Sequence, residues 1–296
     1  MKVVHIYYNN ISAKVDDLSL ILGYFDGVHL GHQELIKRAR KYAKHPLAIL
    51  TFDKPVASLI NNGKNSEILT SLDDRFRIIS KFGVDYYYLF HIDKDFLNLS
   101  DVDFIEILKK LNVREVFIGE DFRFGKGRKG TPDTLKDYFD VDVSELLEIN
   151  DEKVSSQNIK NLLEVGKIDE ANSLLGHNYQ ISGTIVSGKK IGRLIGFPTF
   201  NIKLSDNYVL PRYGVYKTIA YIDGIPHLSI ANVGVNPTVD AGDIPTIEAH
   251  LKEYEDGDYS SLSLEFLEFV RPEIKFNSLD ELKSQIESDV KKVFKN

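Results

Sequence analysis

Two rhythms of apolar and polar positions divide the chain. Up to about residue 150, residues 19–25 (SLILGYF), 47–52 (LAILTF), 85–90 (DYYYLF) and 115–119 (EVFIG) are apolar nearly throughout. Short unbroken runs of this kind are the pattern of strands buried on both faces. Between them lie helix-start signals: Ser71 three residues ahead of Asp74, Ser100 three ahead of Asp103, and Thr131 followed by Pro132. A hydroxyl at the cap satisfies a free backbone N–H, and proline fits the first helical position. Strand–helix alternation predicts a Rossmann-like parallel sheet with helices on both faces, and ligands in such sheets sit at the carboxyl ends of the strands. A helical pair follows over 159–165 and 168–175, stopped by Gly166 and Gly176.

From about Tyr179 the period shortens. Residues 180–187, 200–204, 214–222, 228–233, 246–254 and 262–270 read as strands, and Leu262, Leu264 and Phe266 alternate with Ser263, Glu265 and Leu267. Asp223-Gly224 is a hairpin signal between two of them. Six short strands separated by turn residues predict a small antiparallel six-stranded β-barrel. A C-terminal helix over 279–294 closes the chain, with Ser278 and Glu281 as a capping box. The two halves are expected to be separate domains, 1–177 and 178–296, each of an ordinary size for one core.

Composition narrows the function classes. The chain has 296 residues with no cysteine, which excludes disulfides and thiolate metal sites and favours the cytoplasm as compartment. No apolar run approaches membrane-spanning length and no signal pattern follows Met1, so no membrane association is expected. A net charge of −7 argues against a nucleic-acid partner. Basic residues do gather beside glycines, at Arg123, Lys126, Arg128 and Lys129, and again at Lys189, Lys190 and Arg193. Such clusters are either solvated loops or phosphate-holding loops whose bare backbone comes close to the anion.

The first chemical constellation is GYFDGVHLGH, residues 23–32, directly after a strand and opening a helix. Gly27 and Gly31 allow close approach of a ligand, and the helix start offers free N–H groups to phosphate. His29 and His32, three apart in the first turn, can face the same anion. From this composition H-x-G-H arises by chance about 0.014 times per chain. For His29 alone, a polar residue satisfied in a turn is the competing reading. A site of this kind needs positioning and charge stabilisation as pyrophosphate leaves, with no covalent intermediate.

The second lies in the barrel half, where Gly192-Arg193 and GFPTFN (residues 196–201) lead into a strand. Thr199 and Asn201, two apart, share a face if extended, and could hold Mg²⁺ bound to ATP phosphates. A plain Pro198-Thr199 turn accounts for the same residues. Glu248, in TIEAHL, is either a functional carboxylate or one member of a solvent-facing polar row with Thr246 and His250.

These motifs resemble the prokaryotic FAD synthetases, the bifunctional riboflavin kinase/FMN adenylyltransferase family. The resemblance spans nearly the whole chain, through GYFDGVHLGHQ, LTSL, GEDFRFG, VSSQNIK, GFPTFNI, YGVY, ANVGVNPT and RPEIKFNSLDELKSQI. It implies a nucleotidyltransferase-type first domain that joins FMN to AMP from ATP, and a second that phosphorylates riboflavin. By resemblance the first ATP site takes Gly23, Tyr24, Phe25, Asp26, Gly27, His29, Gly31 and His32, with His29 and His32 catalytic. Ser155, Ser156 and Lys160 close over its phosphates, and Asp121, Phe122, Arg123, Phe124 and Gly125 line the nucleotide–flavin cleft. In the second domain Gly192, Arg193, Gly196, Pro198, Thr199 and Asn201 take ATP. There Thr199 and Asn201 hold the metal, Glu248 is the base and Arg271 binds flavin. Expected ligands are riboflavin, FMN, FAD and Mg-ATP, and the expected assembly is a monomer or weak homo-oligomer.

The sequence departs from the family pattern at Tyr24 (usually Asn), at Pro55 in TFDKPV (usually TFEPHP), and at Gln157 and Lys160 in SSQNIK (usually SSTxIR). Lysine keeps the charge of arginine but not its bidentate fork. These departures carry the alternative of a riboflavin kinase whose nucleotidyl site has become a pocket. A further alternative is a flavin- or nucleotide-sensing binding protein, touching RNA through its barrel.

Overall fold

The computed structural model describes residues 1–11, 15–60, 66–149, 152–188, 191–238, 242–254 and 257–295. The chain separates into two compact units, Met1–Ser156 and Gln157–Asn296. Lys189 and Lys190 of the second basic cluster lie outside the described residues.

The first unit is built on a six-stranded sheet: β1 (Lys2–Tyr7), β2 (Leu18–Leu22), β3 (Leu47–Phe52), β4 (Tyr86–His91), β5 (Val113–Gly119) and β6 (Asp140–Ser144). Every pairing is parallel, in the order β1-β4-β3-β2-β5-β6. Helices α1 (Leu30–Tyr42), α2 (Leu72–Ser80), α3 (Asp101–Lys110) and α4 (Pro132–Lys136) connect the strands. The alternation of each strand serves two cores. Leu18, Leu20, Leu22 and Leu50 pack with Phe104, Ile105 and Leu108 of α3. Ile21, Ile49 and Phe117 face the other way, onto Leu35, Ile36 and Ala39 of α1 and Ile78 and Ile79 of α2. Burying one such aliphatic side chain stabilises by about 1.5–3 kcal/mol, which is why central strands read as unbroken apolar runs.

The four expected strands are present, but two others bracket them. β1 and β6 are edge strands with mixed burial, KVVHIY and DVDVS, and a half-polar edge carries little apolar signal. The strand ahead of the His29–His32 motif is therefore the second, and it ends at Leu22 rather than residue 25. Phe25 turns the chain in the left-handed conformation (φ 58°). The caps form as expected: Ser71 and Thr131 accept the N–H of Asp74 and Thr134, and Ser100 and Asp103 make a full capping box. A two-stranded ribbon, β7 (Glu148–Ile149) and β8 (Glu152–Lys153), follows β6.

α5 (Ser156–Glu164) starts at the last residue of the first unit and α6 (Ile168–Leu175) follows it in the second, ending at Gly176 in the left-handed conformation. The barrel strands are β9 (Tyr179–Val186), β10 (Phe200–Leu204), β11 (Gly214–Ile222), β12 (Ile225–Thr238), β13 (Gly242–Leu251) and β14 (Ser261–Pro272), with α7 (Ile191–Leu194) between β9 and β10. They close antiparallel in the order β10-β13-β12-β11-β14-β9. Asp223 (φ 50°) and Gly224 (φ 79°) make the β11–β12 hairpin turn, the two positive φ angles of a type I′ turn. The last helix, α8 (Leu279–Phe294), matches its expected bounds. Its cap differs in one bond: Ser278 accepts the Glu281 N–H, while the Glu281 carboxylate reaches back to the N–H of Asn277 rather than of Ser278. Among the described residues no helix is long and apolar enough to cross a membrane.

Two candidate functional sites

In the first unit the chain leaves β2 to build β3 and β4 on one side, then returns to build β5 on the other. That reversal lies between β2 and β5, and the carboxyl ends of strands at such a switch point are where open parallel sheets bind ligands. Residues 23–32 follow the carboxyl end of β2 directly. Gly27 donates its N–H to Thr70 Oγ1 (3.0 Å), and the buried Asp26 carboxylate accepts the N–H groups of Leu69 (2.8 Å) and Thr70 (3.2 Å). Ser156, distant in sequence, donates its hydroxyl to the Asp26 carbonyl (2.8 Å). Ser155 is half-buried beside it, and Lys160 lies on α5.

His29 caps α1, its Nδ1 accepting the His32 N–H (3.4 Å). The two rings stack with centroids 3.6 Å apart and planes 18° apart, and Phe25 meets His32 edge-on at 5.0 Å. Gly31 lets the His29 ring lie close, since a Cβ there would sit 3.3 Å from it. Burial pushes the His29 pKa down to about 4, against the opposing pull of Asp121. Burial, with the neighbouring His29 and Arg75, holds His32 well below the ordinary histidine range. Both rings are neutral at physiological pH. The Nδ1 acceptor role places the His29 proton on Nε2, so this ring offers a neutral donor and no cation.

A positive charge stands nearby that the sequence reading missed. Arg75 of α2 is 1% exposed, donates to Thr51 Oγ1 (3.0 Å) and the Phe52 carbonyl (3.2 Å), and lies 4.4 Å over the Tyr24 ring. Burial pushes the Tyr24 phenol up to about 12, so it stays neutral. The departure at Tyr24 is thus the aromatic face of a buried cation–π pair, worth about 2 kcal/mol when desolvated. No short-range signal in SLDDRF marks Arg75; it becomes visible only when α2 meets β3.

The GEDFRFG loop follows β5. Asp121 pairs with Lys153 (2.9 Å) and Arg123 holds the carbonyls of Glu120 and Phe122 (3.0 and 2.7 Å). Phe122 is half-buried and stacks on Phe124 at 5.9 Å. Phe124 itself is a core residue, packed against Phe104 and under Gly130 rather than on an open wall. Gly125 has φ +71°, and a Cβ there would meet the Asp101 backbone N at 2.5 Å.

The second site is a cavity of about 720 Å³ on the outer wall of the barrel. Along β13, Ile247, Ala249 and Leu251 are buried inward, which turns Thr246, Glu248 and His250 outward. That row does not face open solvent, since Phe197, Ile274 and residues of α8 cover it. Register sets Glu248 directly between Asn201 of β10 and Asn232 of β12. Thr199 Oγ1 donates to Glu248 Oε2 at 3.4 Å, so the hydroxyl, the amide and the carboxylate lie together on the cavity wall. Gly188 lies against the Asn201 side chain, and Gly192 against the Phe197 carbonyl, the latter a backbone contact closer than a Cβ would allow. Gly196 (φ +87°) has open space where a Cβ would point, so it serves the turn rather than a close approach. His250 Nδ1 lies 2.8 Å from the Pro198 carbonyl and anchors the loop. A smaller hollow of about 300 Å³ shares Thr199 and Asn201 with the cavity and adds Arg193, Phe200 and Tyr259. Arg271 also lines the cavity and is held by Asp289 of α8 at 2.7 Å, a partner that sequence reasoning did not name.

Comparison with known proteins covers both units. The FAD synthetase family model matches residues 12–158, and the riboflavin kinase family model matches residues 175–296. The bifunctional riboflavin kinase/FMN adenylyltransferase of Listeria monocytogenes is 35% identical over 301 residues, covering 98% of this chain and 96% of that protein. The same enzyme from Bacillus subtilis is 35% identical with coverage of 98% and 96%, and that of Escherichia coli 33% with coverage of 98% and 96%. A crystal structure described as a macrolide-efflux protein from Streptococcus pneumoniae superposes with a TM-score of 0.90 at 29% identity, covering 99% of each chain.

Proposed function

The chain belongs to the bifunctional riboflavin kinase/FMN adenylyltransferase family, and from that premise we propose how its two sites make FMN and then FAD. The observation that carries the kinase step is Glu248, set between Asn201 and Asn232 and touching Thr199 on the wall of a cavity of about 720 Å³. In this reading the Glu248 carboxylate takes the proton of the riboflavin 5′-hydroxyl as that oxygen bonds to the γ-phosphorus of ATP, and ADP leaves. A positioned base of this kind is worth about 10²–10⁴ in rate. Thr199 and Asn201 stand where the cavity meets the smaller hollow. Flavin takes the larger space and the nucleotide the smaller, with the phosphates between.

Mg²⁺ enters as part of the substrate Mg-ATP. A hydroxyl and an amide oxygen are hard donors suited to it, and no group of three or more His, Asp or Glu side chains among the described residues could hold a resident metal. When bound, Mg²⁺ supplies charge neutralisation at the phosphates.

At the first site, a phosphate oxygen of FMN bonds to the α-phosphorus of ATP and pyrophosphate leaves, giving FAD. The N-terminal turn of α1 and the His29 Nε2–H bind the phosphates as neutral donors. Each preorganised donor at developing charge is worth about 3–4 kcal/mol of barrier. Ser155 and Ser156 belong to the same phosphate set, and Asp121, Phe122 and Arg123 to the flavin side.

Incubating the protein with riboflavin, ATP and Mg²⁺ and resolving flavins by chromatography tests both steps. FMN followed by FAD is the expected sequence of products. FMN without FAD would remove the adenylyltransferase assignment, and unchanged riboflavin would remove the kinase assignment.

A further inference from the structure

The bond network behind Arg271 extends the kinase site into the last helix. Arg271, at the end of β14, and Asp289, in the third turn of α8, are both nearly buried, with side-chain exposures of 16% and 7%. Arg271 Nε donates to Asp289 Oδ1 (3.1 Å) and Oδ2 (3.0 Å), and Nη2 donates to Oδ2 (2.7 Å). Nη1 donates to the Pro272 carbonyl (3.0 Å). One turn earlier on the helix, Gln285 Nε2 donates to Asp289 Oδ1 (2.9 Å), which fixes the carboxylate from its far side. A guanidinium has five N–H donors. Three are used by Asp289 and Pro272, leaving one on each terminal nitrogen, and Arg271 and Asp289 both line the cavity that contains Glu248.

A bidentate arginine–carboxylate pair fixes the plane of the guanidinium as well as its place. A pair serving only to pin α8 to the barrel could lie anywhere along that contact; this one lies at the cavity. We propose that Asp289 is a positioning residue for the kinase reaction. It holds Arg271 with its two free N–H groups turned to the oxygen-rich part of the flavin substrate or its new phosphate, and so makes α8 part of the catalytic domain's site. The inference rests on the riboflavin kinase reading above.

The test is a double-mutant cycle in the full chain, using D289N, R271M and the double variant, with riboflavin and ATP kinetics. D289N is expected to lower kcat/KM for riboflavin about 30-fold, mainly through KM. In the R271M background the same change is expected to cost less than 2-fold, because the residue it positions is gone. Losses that multiply in the double variant, or a D289N enzyme with wild-type kcat/KM, would overturn the assignment. Adenylylation of added FMN and the melting temperature are followed in parallel, since a purely structural role would lower them without splitting KM from kcat. Should D289N melt below the assay temperature, D289E decides: it retains the charge but displaces the carboxylate, and a KM for riboflavin unchanged from wild type would refute positioning. A wild-type protein that does not phosphorylate riboflavin refutes the kinase reading itself, which separates that failure from this one.

Discussion

Replacing His29 by asparagine tests whether the nucleotide site carries a neutral imidazole. Asparagine is a good helix cap, so the variant keeps an acceptor for the His32 N–H while removing a titrating ring. Burial lowers the His29 pKa from 6.5 in the unfolded chain to about 4 in the fold. The sign follows from proton counting. Below pH 6.5 the unfolded chain binds a proton that the folded ring refuses, so the stability contributed by the neutral ring is full above pH 6.5 and is lost as pH falls toward 4. At pH 5.0 the unfolded state gains a factor of about 30 from this one group, or about 2 kcal/mol, and at pH 7.5 almost nothing.

Urea unfolding of the wild type followed by circular dichroism at the two pH values should therefore show about 2 kcal/mol more loss on acidification than H29N shows. Equal losses would refute the reasoning, as would an imidazole NMR titration that puts His29 near 6.5. The functional corollary is that protonation of His29 does not switch adenylylation on between pH 6 and 8, because a ring with a pKa of about 4 is already neutral there.

Two further outcomes follow from the geometry. Glu248→Gln should slow riboflavin phosphorylation by about 10²-fold or more while adenylylation of supplied FMN continues, measured by separate assays of the two steps. Unchanged phosphorylation would take Glu248 out of the mechanism. Gly125→Ala forces a left-handed backbone (φ +71°) on a residue with a Cβ that meets the Asp101 backbone N at 2.5 Å. A cost of about 2–3 kcal/mol is expected, seen as a melting temperature lower by about 5 °C or more. A variant as stable as the wild type would show that the loop can shift away from α3.

Local order is the part of this protein that its sequence determined unaided. The unbroken apolar runs at β2, β3, β4 and β5, the hydroxyl caps of α2, α3 and α4, the six barrel strands and the bounds of α8 all follow from spacings of a few residues. The His29–His32 pair stood out for the same reason, as a short-range pattern at the start of α1, whereas the spacing of Thr199 and Asn201 fitted a plain turn equally well. The edge strands β1 and β6 escaped because their burial depends on which neighbour covers them: KVVHIY carries no steady period, and DVDVS alternates over only five residues.

Tertiary structure decided the chemistry of those residues. Alternation alone put Thr246, Glu248 and His250 on one face of β13, but only the cover of α8 and the loop at Phe197 made that face a cavity. Arg75 reached Tyr24, and Asp289 reached Arg271, because separate elements packed together. Burial likewise turned His29 from a potential cation into a neutral donor with a pKa of about 4. Periodicity is a property of neighbouring bonds, whereas charge state and pairing depend on what the fold takes out of water. That is why the motif could suggest a phosphate site after β2 and could not state which groups there carry charge.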